Sequence, residues 1–327
     1  MRISIVIPLY NKVKYITRAL SSVAGQTFRD FEAIVVDDGS TDGSGELAAG
    51  FPDRRFRVIR QENAGPGAAR NRGLAEATGD LVAFLDSDDA WLPDYLERSV
   101  ALLDSEEEVD AVTAGHIEIP GYVANIAMWR RRGIAEGVHR ITPDTEGRAL
   151  QHMVAYMTPC TTVARLAIIR QWGGFAEGRG CVYGEDAALW LKILLNRKVW
   201  FQLQPLVIVD RAASQLCGNF KGPRPVESFL ADSTELENCC PPELLPVLHR
   251  FMSFRSCKTA AAVGYSGDWR GARALVRDRV RLLDVGPMYF LAALGAGTPA
   301  GSAIGKLLLP GLGAGQNRRR SFWDRLA

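Results

Sequence analysis

Several common chemistries are missing from this sequence. Only 4 histidines occur in 327 residues. None stands at zinc-site spacing from a cysteine, and the 6 cysteines (Cys160, Cys181, Cys217, Cys239, Cys240, Cys257) form no Cys-x-x-Cys pair. Zinc modules and dithiol redox motifs are thereby set aside, and reduced thiols of a cytosolic protein are expected. His116, His139, His152 and His249 are not expected to be ligands. No Gly-Lys-Ser/Thr follows a glycine-rich loop, so there is no P-loop, and no dinucleotide fingerprint follows the first strand. The opening apolar run, Ile3 to Leu9, is too short for a secretory signal and reads as a strand. Net charge is also nearly absent, at +2, but this hides a split. Residues 241–327 hold 13 Lys/Arg against 5 Asp/Glu, while the first 240 hold 26 against 32. An acidic body with a basic tail implies that the two face different surroundings.

What is present is an alternation of strands and helices. Ile3–Ile7, Phe31–Val36, Arg57–Ile59 and Leu81–Leu85 are short runs rich in β-branched and apolar residues. Between and after them, Val13, Ile16, Leu20 and Val23, the stretch 67–77, and Leu92, Leu96, Val100 and Leu103 fit helices. This predicts an α/β domain with a doubly wound, mostly parallel sheet and helices on both faces. Residues 105–160 show no clear period, a helix is expected over about 184–196, and the pattern beyond about 225 is helical. The expected organisation is a domain over 1–225 and a helical, basic C-terminal region over 226–327.

In open parallel sheets, ligands bind beyond the carboxyl ends of the strands. The unusual polar residues stand there: Pro8-Leu-Tyr-Asn11, Asp37-Asp-Gly-Ser-Thr-Asp42 and Asp86-Ser-Asp-Asp89. Three carboxylates within four residues repel one another unless a cation offsets them, and oxygen ligands favour Mg²⁺ or Mn²⁺. Asp86 and Asp88, two apart at a strand end, are able to face one metal; the alternative is a cap for the helix beginning near Pro93. The Asp38 carboxylate, an acceptor only, suits the ring N–H of uracil or thymine or the paired donors of guanine. Its alternative is to cap its own turn. Asn63 to Gly73 is a glycine-rich lead into a helix carrying Arg70 and Arg72. It would serve either an anion or close helix–strand packing.

Four ordered segments, Ile5-Val-Ile-Pro-Leu-Tyr-Asn11, Val35-Val-Asp-Asp-Gly-Ser-Thr-Asp42, Asn63 to Gly73 and Phe84-Leu-Asp-Ser-Asp-Asp89, resemble the successive signatures of family 2 glycosyltransferases, inverting enzymes of the GT-A fold. The resemblance is dense over 1–105 and thin to about 200. It implies that Pro8, Tyr10 and Asp38 border the nucleoside, with Arg70 near the same pocket. It further implies that Asp86 and Asp88 form an Asp-x-Asp site for Mn or Mg, with Asp88 the direct ligand. Gly173-Gly-Phe175 and Gly184-Glu-Asp-Ala-Ala-Leu-Trp-Leu191 resemble the family's later segment, which makes Asp186 the general base; the alternative for Glu185 and Asp186 is a favourable charge at a helix start.

The implied function is inverting, metal-dependent, non-processive transfer of a sugar from a nucleoside-diphosphate sugar to a hydroxyl of a glycan or lipid-linked acceptor, in polysaccharide biosynthesis. Nucleic acid is not an expected partner. The Gln-x-x-Arg-Trp motif of processive synthases is missing after Asp186, and the stretch after the late strand, Val209 to Ser214, has Arg211 but no histidine. The rivals are a nucleotidyltransferase and a non-catalytic sugar-nucleotide-binding protein. The first would place a glycine-rich loop with Arg and Lys directly after strand one; both Asp88 and Asp186 would be superfluous in the second.

Arg270, Arg273, Arg277 and Arg281 form a basic stripe, and residues 285–305 carry no charge. Their 5 glycines and 2 prolines argue against a regular membrane span. With Arg318–Arg320 and Phe322–Trp323 close by, peripheral contact with the inner face of a membrane is expected of an otherwise cytoplasmic protein. A solvated helical face or a subunit contact are the alternatives.

Overall fold

The computed structural model describes residues 1–177, 184–213, 226–285 and 287–301. Two compact units are present: residues 1–141 with 152–214, and residues 142–151 with 215–327.

The first unit is built on one sheet. Its strands are β1 (Ile3–Leu9), β2 (Phe31–Asp37), β3 (Phe56–Arg60), β4 (Leu81–Phe84), β5 (Ala90–Trp91), β6 (Val109–Ile119), β7 (Val123–Ala124), β8 (Gly137–His139), β9 (Thr162–Arg165) and β10 (Lys198–Asp210). The order is β3-β2-β1-β4-β9-β6-β10-β5, with β7 on β6 and β8 on β10. The first four strands run parallel. Strand β9 then enters antiparallel between β4 and β6, while β10 runs parallel to β6. The sheet is therefore mostly parallel at its spine, as the alternating pattern predicts. The unpatterned stretch hid β6, and the reversed β9 lies just beyond it.

Every residue of β1, β2 and β4 is buried, so helices cover both faces of these strands. Odd-numbered residues of β1 (Ile3, Ile5, Ile7, Leu9) share one core with α1 (Ile16–Ala24) and α4 (Tyr95–Ser105). Ile16, Ala19, Leu20 and Val23 supply the α1 side of that core at helical spacing. Val13, which the pattern also placed there, lies before the helix and is 37% exposed. On the opposite face Val6 meets α3 (Pro66–Glu76). A Cβ on Gly73 would lie 2.3 Å from Val6 Cγ1, so this glycine lets helix and strand approach. The packing reading of the glycine-rich lead therefore holds at Gly73.

Pro8 continues β1 instead of ending it. A strand residue sends its N–H and C=O to the same side. Val6 accepts from Leu85 on the β4 side, so the missing N–H of Pro8 faces that side too, beyond the last β4 residue, Phe84. The β1–β4 pairing accordingly ends at Val6 opposite Phe84. The unit also holds the short helices α2 (Ser44–Ala49), α5 (Ile126–Arg131) and α7 (Leu166–Gln171), and α8 (Ala187–Asn196). Helix α6 (Gly147–Tyr156) begins in one unit and ends in the other.

The second unit is helical: α9 (Ser228–Ala231), α10 (Thr234–Cys239), α11 (Leu245–Tyr265), α12 (Trp269–Arg279), α13 (Leu282–Val285) and α14 (Pro287–Ala296). Helix α11 is its axis. Buried Glu227 pairs with Arg255 at 2.6 Å and accepts from Thr259 Oγ1. Asp268 caps α12 by accepting from the Gly271 N–H at 2.9 Å. A Cβ on Gly147 would lie 2.6 Å from the Arg250 carbonyl carbon, which seats the 142–151 segment against α11. Among the described residues no helix is long and apolar enough to cross a membrane. Cys160, Cys239, Cys240 and Cys257 form no disulfide among the described residues; Cys181 and Cys217 lie outside them.

Candidate active site

At the carboxyl edge of the sheet, Asp37 and Asp38 divide two tasks. Asp37 caps the turn that follows β2, accepting from the Ser40 N–H at 2.9 Å. Asp38 does not cap its own turn. Its Oδ1 accepts from Gln61 Nε2 and the Ala64 N–H, and its Oδ2 from the Gly65 N–H, at 2.8, 2.9 and 2.9 Å. The glycine-rich lead into α3 thus already spends two backbone donors on a carboxylate. Gly65, at φ 93°, takes a backbone conformation that favours glycine. Nearby, Pro8 is buried and Tyr10 is 42% exposed.

The loop after β1 is pinned to the loop after β2. Asn11 Oδ1 accepts from the Thr41 N–H at 2.8 Å, and the Val13 N–H donates to Asp42 Oδ2 at 2.9 Å. Between these anchors stands Lys12. Its Nζ donates to Asp88 Oδ2 at 2.6 Å and to the Ala213 carbonyl at 2.8 Å. Arg18, one turn into α1, donates to the Asp88 carbonyl and pairs with Asp210 Oδ2 at 2.9 Å. Asp210 closes β10, and its backbone N–H donates to Asp89 Oδ1 at 2.9 Å.

The helix-cap reading of Asp86 to Asp89 does not describe this structure. The residue before α4 is Asp94, and strand β5 stands between it and the acidic cluster. Asp86 and Asp88 each have a cation instead. Asp86 pairs with Arg70 at 2.7 Å, and the same guanidinium reaches Glu185 at 2.8 Å through its other terminal nitrogen. Arg70 is buried and lies over the Phe175 ring, 5.2 Å from its centroid. Arg72 points outward and pairs with Glu76.

Asp186 occupies the position before α8, yet its side chain makes no capping bond. It accepts from Trp190 Nε1 at 3.2 Å. Burial pushes this carboxyl up to about 7; the neighbouring charge of Glu185 pushes the same way, while Arg70 and the Trp190 bond pull it back. A carboxyl poised there is able to accept a proton near neutral pH. Asp88 is raised as well, by burial and by the charge of Asp86, against the pull of Lys12.

These contacts tie six carboxylates (Asp86, Asp88, Asp89, Glu185, Asp186, Asp210) to three cations (Lys12, Arg18, Arg70) among the described residues. Carboxylates outnumber cations here, and burial with the charges of Asp86 and Asp88 pushes Asp89 well up toward its neutral form. Asp86, Asp89 and Cys160 bring three potential ligand atoms within 4.8 Å of one another. Cys160 is a poor member of a hard-cation site. Burial and the charges of Asp89 and Asp86 push its thiol well up, so it stays protonated. The two carboxylates of that group are Asp86, half-exposed, and Asp89, buried; Asp88, whose Oδ2 is held by Lys12, is not in it.

Lys12, Arg18 and Asp210 were not singled out from the sequence. Asp210 had a signal, since it stands at the carboxyl end of a long strand. Arg211 turns away to Glu118, at 2.5 Å. None of the histidines joins the cluster: His116 bonds Asn125, His139 the Ala135 carbonyl and His152 the Arg132 carbonyl.

The glycosyl transferase family 2 sequence model matches residues 4–171. The chain is 41% identical over 122 residues to an uncharacterized glycosyltransferase of Nostoc sp., covering 36% of this chain and 37% of that protein. It is 43% identical over 123 residues to the succinoglycan biosynthesis protein ExoW of Rhizobium meliloti, covering 35% and 39%. Across such relatives the match spans between 14% and 39% of their length. Among solved structures, Staphylococcus aureus TarS 1–349 in complex with UDP-GlcNAc has a TM-score of 0.73 at 22% identity, over 95% of this chain and 92% of that one. The mannosyltransferase PcManGT from Pyrobaculum calidifontis, in complex with GDP-Man and Mn2+, has a TM-score of 0.50 at 20% identity, over 90% and 86%. At these identities the likeness shows the fold, which is that of GT-A transferases.

Proposed function

The chain belongs to glycosyl transferase family 2, and on that premise we propose that it moves one sugar at a time from a nucleoside diphosphate to a hydroxyl of a glycan or lipid-linked acceptor, with inversion and with a divalent cation, Mn or Mg. The observation that carries this reading is the Arg70 bridge. One buried guanidinium binds both Asp86, of the acidic loop after β4, and Glu185, neighbour of Asp186. A phosphate-side carboxylate group and a proton acceptor thereby belong to one cluster.

In this reading Pro8, Tyr10 and Asp38 border the nucleoside, with Arg70 beside the same pocket. Asp86 and Asp88 hold the cation, and Asp88 is its direct ligand. When bound, the cation offsets charge on the departing diphosphate. Asp186 takes the proton of the acceptor hydroxyl as its oxygen bonds to the anomeric carbon. The bond from that carbon to the diphosphate breaks with its electron pair on the phosphate oxygen, and attack from the far side inverts the centre. The position of Asp38 favours uracil or thymine. A carboxylate offers about four acceptor positions; three are taken by Gln61, Ala64 and Gly65, leaving one on Oδ2 for a single ring N–H. The TarS and PcManGT complexes with UDP-GlcNAc and GDP-Man support a nucleotide-sugar donor of this general kind.

The second unit supports peripheral contact with an anionic membrane. Arg270, Arg273, Arg277 and Arg281 are exposed, as are Leu283, Leu291 and Leu294. Arg318–Arg320, Phe322 and Trp323 lie outside the described residues.

The reading is tested on Asp186→Asn by measuring donor affinity calorimetrically and transfer rate on the same preparation. Donor and Mn²⁺ affinity should stay near wild type while the rate falls by about 10²–10⁴-fold, the usual worth of a positioned base. Normal turnover would move the base elsewhere, with Glu185 next. Release of pyrophosphate in place of free nucleoside diphosphate by wild type would make the chain a nucleotidyltransferase, and release of neither a binding protein.

A further inference from the structure

We propose that Lys12 is a built-in counter-ion that occupies Asp88 until the divalent cation arrives, then swings to the donor's diphosphate as an added phosphate ligand. The inference rests on the reading of Asp88 as a metal ligand given above.

Its first support is placement. The backbone on either side of Lys12 is fixed by the Asn11 N–H on Ser40 Oγ and the Val13 N–H on Asp42 Oδ2, so the root of the side chain is held in place. Its ammonium nevertheless rests at the sheet's carboxyl edge on Asp88 Oδ2, 2.6 Å away. Both side chains are 11% exposed, so the pair is shielded from water's screening.

The second support is crowding. A Mg²⁺ or Mn²⁺ ion on Asp88 would lie about 2.0–2.1 Å from a carboxylate oxygen. An ammonium at hydrogen-bond distance from the same carboxylate would then face a doubly charged ion at close range. One of the two must leave, and the lysine is the one on a flexible stem. Four torsions separate its fixed backbone from Nζ, so it moves several ångströms without disturbing the loop.

The third support is what it gives up. Besides Asp88 its partners among the described residues are the Ala213 carbonyl, at 2.8 Å, a neutral acceptor, and the Tyr15 ring, 5.8 Å from its centroid. A diphosphate brings more negative charge than that carbonyl, and lysine is a good point-charge phosphate ligand. Metal and donor would therefore replace both of its hydrogen-bond partners together. The same device keeps the acidic loop neutralised between turnovers.

The proposal makes two measurements move in opposite directions. Lys12→Met keeps the length and removes the charge; Lys12→Gln also keeps a donor for the Ala213 carbonyl, should loss of that bond unfold the loop. Mn²⁺ binding to the full chain is followed by the electron-paramagnetic signal of free Mn²⁺, without nucleotide. Uridine diphosphate binding is followed by calorimetry at saturating Mn²⁺. Nearby charges change a carboxylate's affinity for a proton by about 10–1000-fold, so both variants should bind Mn²⁺ at least about tenfold more tightly. Both should also bind the diphosphate at saturating Mn²⁺ more weakly than wild type, with circular dichroism unchanged. Mn²⁺ affinity that needs Asp88, as shown by Asp88→Asn, but ignores both Lys12 variants would overturn this inference alone. Mn²⁺ affinity indifferent to Asp88→Asn would overturn the metal placement as well. Weakening of both ligands together in a folded variant would make Lys12 a structural residue.

Discussion

The two acidic clusters of the site are neutralised by different means. Asp88 is met by an ammonium on a flexible stem, which also holds a neutral carbonyl. Asp86 and Glu185 are met by Arg70, a rigid planar fork, buried, with one terminal nitrogen for each carboxylate and Phe175 beneath it. Lysine's charge is compact and mobile, whereas arginine's geometry is fixed. The first arrangement suits exchange of one cation for another. The second suits holding two loops together, so that the carboxylate beside Glu185 keeps its place relative to Asp86. The contrast teaches that formal charge balance does not distinguish a site's moving parts from its frame; the identity of the cation does.

Breaking the frame should have the largest effect. Arg70→Met strands Asp86 and Glu185 without their partner, and removing one member of a buried ion pair costs about 3–5 kcal/mol. Urea unfolding should show that loss; a loss below about 1 kcal/mol would mean that Arg70 does not hold the frame. Asp88→Asn should behave oppositely. It relieves a buried carboxylate already pushed up by its surroundings, so stability should stay within about 1 kcal/mol. Mn²⁺-dependent donor affinity should fall by at least about 10–100-fold, as expected when a metal site is damaged. Equal donor affinity in calorimetry would remove Asp88 from the exchanging side.

A smaller effect sharpens the frame side. Asp186 stands at about 7, so the rate should fall as pH drops through that value and the base is protonated. Stability should respond in the other direction. Between the ordinary carboxylate range and about pH 7 the folded chain holds a proton that the unfolded chain has lost, so this group's contribution declines as pH rises. Trp190→Phe removes the indole donor that favours the ionised carboxylate. The midpoint of the rate profile should therefore move upward, by up to about one pH unit, or roughly 1.4 kcal/mol. An unmoved midpoint would show that the indole only packs. The smallest effect is the control: Arg72→Ala, on the same helix as Arg70 but in an exposed pair with Glu76, should change stability by no more than about 0.5 kcal/mol.

The parallel core was legible because its strands are short continuous apolar runs and its helices repeat at fixed spacing. Ile3 to Leu9 and Phe31 to Asp37 were readable for that reason. The reversed strand β9, Thr162–Arg165, was not, since four residues beginning with a threonine carry no period of their own. Its place between β4 and β6 is set by pairing across long sequence separations. Among the site's polar residues, those clustered in sequence were visible: Asp37–Asp38, Asp86–Asp89 and Glu185–Asp186. Lys12, Arg18 and Asp210 are isolated in sequence and meet the cluster only through the fold, the last two across |i−j| of 192. The competing helix-cap assignments for Asp86–Asp89 and Asp186 could be separated only by geometry, because Asp is equally at home in either role.

The reversed strand also has a bearing on how the chain acquires its shape during synthesis. Strands β1 to β4 pair with neighbours made within the first 84 residues, so that quarter of the protein is able to assemble as it emerges. The outer side of β4 then waits for residues 163–165, and β6 has no partner on that side until the same moment. During this interval an apolar strand edge stands open to any other nascent chain, the usual origin of misassembly. A chain stalled or truncated before residue 163 should therefore aggregate, although its first four strands are already paired. One four-residue strand thus stitches β4 to β6, before β10 adds the sheet's last ladders.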